Sequence, residues 1–189
     1  MSEGLHILVA TKLEEIGPST SVAFEIKIDS YFDVVRGIID EFAAKKDLAC
    51  VYVTASVPAS TLSAALSTLE VSVSDLSFVD CISHTLMAAG ERSKSTVFVE
   101  SPTMLENIIL KVEYFARVKE GKRLLVVLDS VNSFALHNDI KMLTEFLTIL
   151  TNSLKSKEAY PVLLAIPEQM KPEIKEVMAM VSDVIIPLS

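Results

Sequence analysis

The sequence has little glycine, little cysteine and no long apolar run, and each shortage excludes a class of protein. It contains 5 glycines and 7 prolines in 189 residues, with 50% hydrophobic and 22% charged residues, a composition typical of ordered globular domains and not of disordered or fibrous chains. Its apolar runs are far shorter than the about 20 residues that cross a bilayer. The start, from Met1 to His6, has no basic segment followed by an apolar run. We therefore expect neither a secretory signal nor a membrane partner.

The two cysteines, Cys50 and Cys81, lie in strand-like segments and form no Cys-x-x-Cys pattern. A thiol in such a segment usually behaves as a small apolar group. Their number and placement favour a reducing compartment. We therefore expect a cytoplasmic protein whose cysteines are structural.

The chain is acidic, with a net charge of −8 and a pI near 4.9. Binding a phosphate backbone requires a clustered excess of lysine and arginine, whereas the basic residues here are scattered along the chain. The short basic run at 119–123 is interrupted by Glu120 and is typical of a solvated turn. We expect no nucleic-acid partner.

Strand-like and helix-like segments alternate along the chain. The apolar patterns predict strands at 22–28, 48–54, 76–80, 97–99, 123–129, 160–166 and 183–187. Helical spacing predicts helices at 34–46, 58–69, 101–115, 138–154 and 170–180, the third of them starting at Ser101 and Pro102. Residues 5–16 fit either a helix or a strand and turn, and residues 81–96 have no consistent period and predict an exposed excursion from the sheet.

This alternation predicts a doubly wound α/β domain over residues 1–189, with 1–21 as an N-terminal extension or first element. Strands that alternate with amphipathic helices need crossover connections, which produce a mostly parallel sheet with helices on both faces. Ligands of such sheets bind outside the carboxyl ends of the strands. We expect that crevice to lie just after Ile28, Thr54, Asp80, Asp129 and Ile166.

Three ordered segments resemble parts of one known superfamily. Residues 48–54 are similar to the strand after the first helix, residues 76–83 to the next strand and turn, and residues 124–130 to the Walker B strand, which ends in Asp followed by Ser or Thr. The superfamily is RecA, and the branch is the KaiC-like one found widely in archaea. The resemblance spans about residues 22–188. It implies a three-layer P-loop NTPase-type sandwich with Asp129 and Ser130 as the nucleotide-binding pair.

The segment at 26–34 corresponds to the P-loop in this resemblance but lacks its chemistry. A P-loop holds phosphates with the amides of a glycine-rich turn, a lysine, and a serine or threonine on magnesium. Here there is no glycine and no Lys-Ser or Lys-Thr pair, and Asp29 and Asp33 stand where phosphates would lie. The resemblance also implies acidic, water-orienting residues at 55–57, which read Ala-Ser-Val. We expect a degenerate ATPase without catalytic residues or cofactor, serving as a regulatory or scaffold module that binds a protein partner or copies of itself.

Asp129 and Ser130 leave two interpretations open. They either retain a contact with a cation or nucleotide, or Asp129 caps a turn while Ser130 satisfies nearby backbone. The alternative function is a sensor that binds a nucleotide or small ligand in the strand-end crevice without hydrolysis. The apolar Phe-Ala-Leu at 134–136 is predicted to lie in a loop, where it either faces a partner or packs beneath that loop.

The remaining reactive residues form no complete motif. His6, His84 and His137 lack the i, i+4 spacing of a zinc site on one helix face, so we expect no metal. Asp80, Ser83 and His84 include the residue types of a hydrolytic triad, but no Gly-x-Ser-x-Gly elbow is present to expose the serine.

Overall fold

A computed structural model describes residues 4–87 and 93–188 of the chain. In this part of the chain seven strands form one sheet, and each pair of neighbouring strands is parallel. The strands are β1 (Val22–Ile26), β2 (Ala49–Thr54), β3 (Leu76–Asp80), β4 (Thr96–Phe98), β5 (Leu124–Asp129), β6 (Tyr160–Ala165) and β7 (Val184–Leu188). Their order across the sheet is β4-β3-β2-β5-β6-β1-β7.

Helices cover both faces of the sheet. They are α1 (Leu5–Ile16), α2 (Tyr31–Arg36), α3 (Ala59–Thr68), α4 (Leu105–Val118), α5 (Val131–His137), α6 (Ile140–Ser156) and α7 (Pro172–Val181), with a π-helix (Gly37–Ala44) continuing α2 and 3₁₀ turns at Ile28–Ser30 and Pro167–Gln169. Helices α4, α5, α6 and α7 pack on one face, and α1, α2 with its π-helical continuation, and α3 pack on the other. Because both faces are covered, β2 and β5 are buried along their whole length. The predicted doubly wound α/β fold is thus confirmed.

Several predicted boundaries need correction. The first strand ends at Ile26 and not Ile28, because the chain turns into the 3₁₀ segment. The helix predicted to begin at Ser101 and Pro102 begins at Leu105. The Ser101 hydroxyl instead accepts the amide of Thr103 at 3.2 Å, so this Ser-Pro pair forms a turn before the helix.

The sequence left the structure of two regions open, residues 5–16 and residues 81–96. Residues 5–16 form a helix. In the excursion predicted at 81–96, residues 81–87 form turns and β4 begins at 96, while residues 88–92 lie outside the described part. Within the described residues no helix combines the length and the apolar character needed to span a membrane.

The Phe-Ala-Leu at 134–136 lies in α5, so its placement in a loop was wrong. Phe134 is fully buried and its ring centroid lies 5.7 Å from that of Phe146. Leu136, by contrast, is 82% exposed. One residue of the motif therefore packs beneath the helix and another faces outward.

Gly37 allows α1 to cross the π-helix at close range. A Cβ atom at this position would lie 2.6 Å from the carbonyl oxygen of His6 and 2.9 Å from the Cβ of Val9. The first of these is a backbone atom that no rotamer change can move. The close packing of α1 against the π-helix therefore requires a residue without a side chain at position 37.

Candidate functional site

Three polar residues lie side by side where β3, β2 and β5 end. The strand register pairs Thr54 with Asp80 on one side and with Asp129 on the other. All three side chains are buried, with exposures of 0%, 0% and 2%, respectively. The strand ends where the crevice was predicted therefore hold two buried carboxyl groups, and each needs hydrogen-bond partners to remain buried.

The Asp129 carboxyl group is bound by two tyrosines. Its Oδ2 atom accepts hydrogen bonds from the Tyr31 hydroxyl at 2.5 Å and from the Tyr52 hydroxyl at 2.8 Å, and the two hydroxyl oxygens are 2.9 Å apart. Tyr31 is the first residue of α2, inside the segment that corresponds to the P-loop in the resemblance. Tyr52 comes from β2, two residues before Thr54. Both acceptor positions of Oδ2 are therefore used by side chains of the chain itself.

Burial sets the protonation of this cluster. Removal from water raises the pKa of the Asp129 carboxyl group, and the hydrogen bonds from Tyr31 and Tyr52 offset part of that rise. Burial, reinforced by the charge of Asp129, raises the pKa of both tyrosines well above their ordinary value. Both hydroxyls consequently keep their protons at neutral pH and act as donors.

Ser130 caps the helix that follows β5. Its hydroxyl oxygen accepts the amide of Ser133 at 3.3 Å and lies 3.0 Å from the Ser133 hydroxyl, which is the geometry of an N-cap. Asn132 then joins α5 to the end of β6, since its amide group donates to the Ile166 carbonyl at 3.0 Å and accepts the Ile166 amide at 2.8 Å. The Ser130 hydroxyl thus serves the backbone, whereas the Oδ2 atom of Asp129 accepts hydrogen bonds from the two tyrosines.

Asp80 fastens the turn after β3 to the start of α3. Its Oδ1 atom accepts the amides of Ile82 at 3.0 Å and Ser83 at 2.8 Å. Its Oδ2 atom accepts the amide of Ala59 at 2.8 Å and the Ser83 hydroxyl at 2.6 Å. Because the Ser83 hydroxyl donates to Asp80 while His84 is exposed, these residues are not arranged as a hydrolytic triad.

The cysteines are buried and unpaired in the described structure. Burial raises the pKa of the Cys50 thiol to about 12 and also raises the pKa of Cys81. Both are therefore poor nucleophiles at neutral pH. No group of three or more His, Cys, Asp and Glu side chains suited to a metal ion occurs in residues 4–87 and 93–188.

Sequence reasoning missed Tyr31 and Tyr52. A tyrosine inside an apolar strand is itself a signal, because its buried hydroxyl requires a partner. Side chains two residues apart share a face of a strand, so Tyr52 lies on the same face as Thr54, whose neighbour in the sheet is Asp129. Identifying the partner required knowing that β2 and β5 are adjacent.

The parallel sheet with helices on both faces is similar to the fold of a solved KaiC-like protein. Similarity is seen in structure only, because no family model matches the sequence and a comparison with curated proteins finds no match.

Three solved structures resemble the chain. The KaiC-like protein PH0186 from the hyperthermophilic archaeon Pyrococcus horikoshii OT3 has a TM-score of 0.61 and 16% identity, over 91% of this chain and 73% of that protein. The flagellar accessory protein FlaH from Methanocaldococcus jannaschii has a TM-score of 0.59 and 9% identity, over 90% and 71%. The uncharacterized protein PH0321 from Pyrococcus horikoshii, solved in complex with an unknown peptide, has a TM-score of 0.64 and 13% identity, over 93% and 82%. At these identities the likeness shows the fold alone.

Proposed function

We propose that this chain is a non-catalytic RecA/KaiC-like domain that acts as a regulatory or scaffold module and binds a protein partner or a second copy of itself. The observation that carries the proposal is the state of Asp129. This residue stands at the Walker B position of the resemblance, and the hydroxyls of Tyr31 and Tyr52 occupy its Oδ2 atom.

A magnesium ion bound through this carboxyl group would have to compete with those two donors. Magnesium requires ionised or neutral oxygen ligands in near-octahedral geometry, whereas the burial of Asp129 favours its protonated, uncharged form. Opening the site would also leave the buried Tyr52 hydroxyl without the carboxyl acceptor. These contacts support the proposal that the chain holds no magnesium ion at Asp129.

Two backbone amides in the segment that corresponds to the P-loop also support the proposal. The amide of Ser30 donates to the Lys27 carbonyl at 3.0 Å, and the amide of Tyr31 donates to the Ile28 carbonyl. These amides are used inside the 3₁₀ turn and are not free to hold an anion. The Asp29 side chain is exposed beside them and adds negative charge where a phosphate would approach.

A binding role is compatible with the similar structures. PH0321 was solved with a peptide bound, and FlaH is described as an accessory protein. In this proposal the fold serves without ATP chemistry, and the surfaces around its sheet are the binding sites.

The decisive experiment measures phosphate release from ATP and magnesium by the purified chain. We expect no release above a protein-free blank, and Asp129→Asn, purified in parallel, controls for a contaminating ATPase. Turnover that is present in the wild type and absent in Asp129→Asn would refute the proposal.

Thermal unfolding with ATP and magnesium separates the module from a sensor. A sensor at a ligand concentration of 100 times Kd gains about 2.7 kcal/mol of stability, whereas a module with a closed site gains none. We expect no change in Tm. A rise that Asp129→Asn abolishes would favour the sensor.

A further inference from the structure

The outward side of α4 carries apolar and charged residues in a symmetrical order. Resting on the proposed binding function, we infer that this side is the surface through which a second copy of the chain binds, with the two α4 helices antiparallel and related by a two-fold axis.

Three apolar side chains are exposed on the neighbouring helices α4 and α6. Leu110 and Tyr114 of α4 are 57% and 45% exposed, and Ile149 of α6 is 55% exposed. Leu110 and Tyr114 are four residues apart and are therefore neighbours on one side of the helix. Apolar side chains that are grouped on a surface, unlike single ones, are typical of a protein interaction site.

Two connections join α4 and α6 into one surface. The Glu113 carboxyl group of α4 accepts the Ser153 hydroxyl of α6 at 2.9 Å. Nearer the start of both helices, Glu106 and Met142 line one cavity of about 240 Å³. Ile149 lies in α6 between these two connections and therefore extends the apolar surface of α4.

Opposite charges flank the apolar pair on α4. Glu106 precedes the pair and Arg117 follows it, and both side chains are exposed. The eleven residues from Glu106 to Arg117 correspond to about three helical turns. Both charged side chains consequently lie on the same side of α4 as Leu110 and Tyr114.

This order becomes self-complementary when two copies of α4 run antiparallel. Leu110 of each copy then meets Tyr114 of the other, and Glu106 of each copy meets Arg117 of the other. Parallel helices would instead place each charge opposite its own like charge, which is unfavourable. A two-fold dimer requires a surface whose residues pair reciprocally in this way. The charges therefore identify a second copy of the chain as the occupant.

The size of the surface sets the strength of the dimer. Helices of 14 and 17 residues are about 21 and 26 Å long and pack about 10 Å apart. The face that they offer is smaller than the about 800 Å² per partner of a standard interface. We expect a reversible dimer whose population depends on concentration.

Sedimentation equilibrium of the full-length chain, from about 1 to about 300 μM, tests the inference. We expect the average mass to rise from that of the 20.7 kDa chain toward twice that value. Arg117→Glu and Glu106→Arg should each raise the dimer Kd at least tenfold, because each puts like charges opposite one another at two places in the dimer. The double variant restores both pairs with their signs exchanged and should return Kd to near the wild-type value.

Glu15→Arg is the matched control. It lies on α1, at the opposite face of the sheet, changes the net charge as Glu106→Arg does, and should not weaken the dimer. A chain that stays monomeric at the highest concentration, a Kd that no single reversal changes, a double variant no tighter than the single ones, or an equal loss in Glu15→Arg would overturn the inference. None of these results bears on phosphate release, so the proposed absence of catalysis stands or falls separately.

Discussion

Replacing Asp129 by asparagine should change how the stability of the fold depends on pH. The carboxyl group is 2% exposed and burial raises its pKa, while in the unfolded chain its pKa is about 3.9. Between these two values the folded chain holds a proton that the unfolded chain has released. Stability contributed by this group is therefore complete at acid pH and is lost as pH rises toward the folded pKa.

The Asp129 carboxyl group lies in a compact cluster of oxygen atoms. Three oxygen atoms, Asp129 Oδ2 and the hydroxyls of Tyr31 and Tyr52, lie within 2.5, 2.8 and 2.9 Å of one another. Both tyrosine hydroxyls donate to the carboxyl group, which lowers its pKa and offsets part of the rise that burial causes. Asparagine keeps an oxygen that can accept the hydroxyls but cannot lose a proton.

The free energy of unfolding of both chains should be measured by urea denaturation at several pH values from 4 to 9. As pH rises from the unfolded pKa to the folded pKa, wild type should lose about 1.4 kcal/mol of stability relative to Asp129→Asn for each pH unit. Above the folded pKa the difference should become constant. The carboxyl groups with lowered pKa, at Glu41, Asp75, Glu113 and Asp183, stabilise at higher pH and lose that effect in acid. They are common to both chains and cancel. A difference that does not change with pH would refute the reasoning.

Two further substitutions probe the frame around the site, each read as a change in urea midpoint at constant m-value. Asp80→Asn should destabilise the fold by about 2–4 kcal/mol, because the asparagine NH₂ group would face donors that now bond to a carboxylate. A loss below about 1 kcal/mol would mean that the hydrogen bonds from Ser83 to Asp80 contribute little to stability. Gly37→Ala should destabilise by about 1–3 kcal/mol, since its methyl group overlaps the His6 carbonyl. Elsewhere in a helix the same change stabilises by up to about 1 kcal/mol, so a gain in stability would contradict the observed helix crossing.

The strands of the sheet centre were predictable because burial on both faces leaves a continuous apolar run. The strand predicted at 76–80 matches β3 residue for residue, and the one at 123–129 differs from β5 by one residue. The π-helix after Arg36 was not predictable, since its apolar positions fit an α-helix equally well. Helix α5 was missed because seven residues are too few for a periodic signal, and short helices depend on packing such as that of Phe134.

The hydrogen bonds to Asp129 follow from a neighbour relation between strands that a linear pattern does not contain. The unusual residues at 26–34 suggested that Asp29 and Asp33 exclude phosphate by repulsion, yet both side chains are exposed. The residue between them, Tyr31, crosses to β5 and joins Tyr52 on Asp129. Removing the acidic charges alone would therefore leave the carboxyl group of Asp129 occupied. Freeing this oxygen, as the proposed function predicts a metal ion would need, would require replacing both tyrosines as well, because each supplies a donor to it.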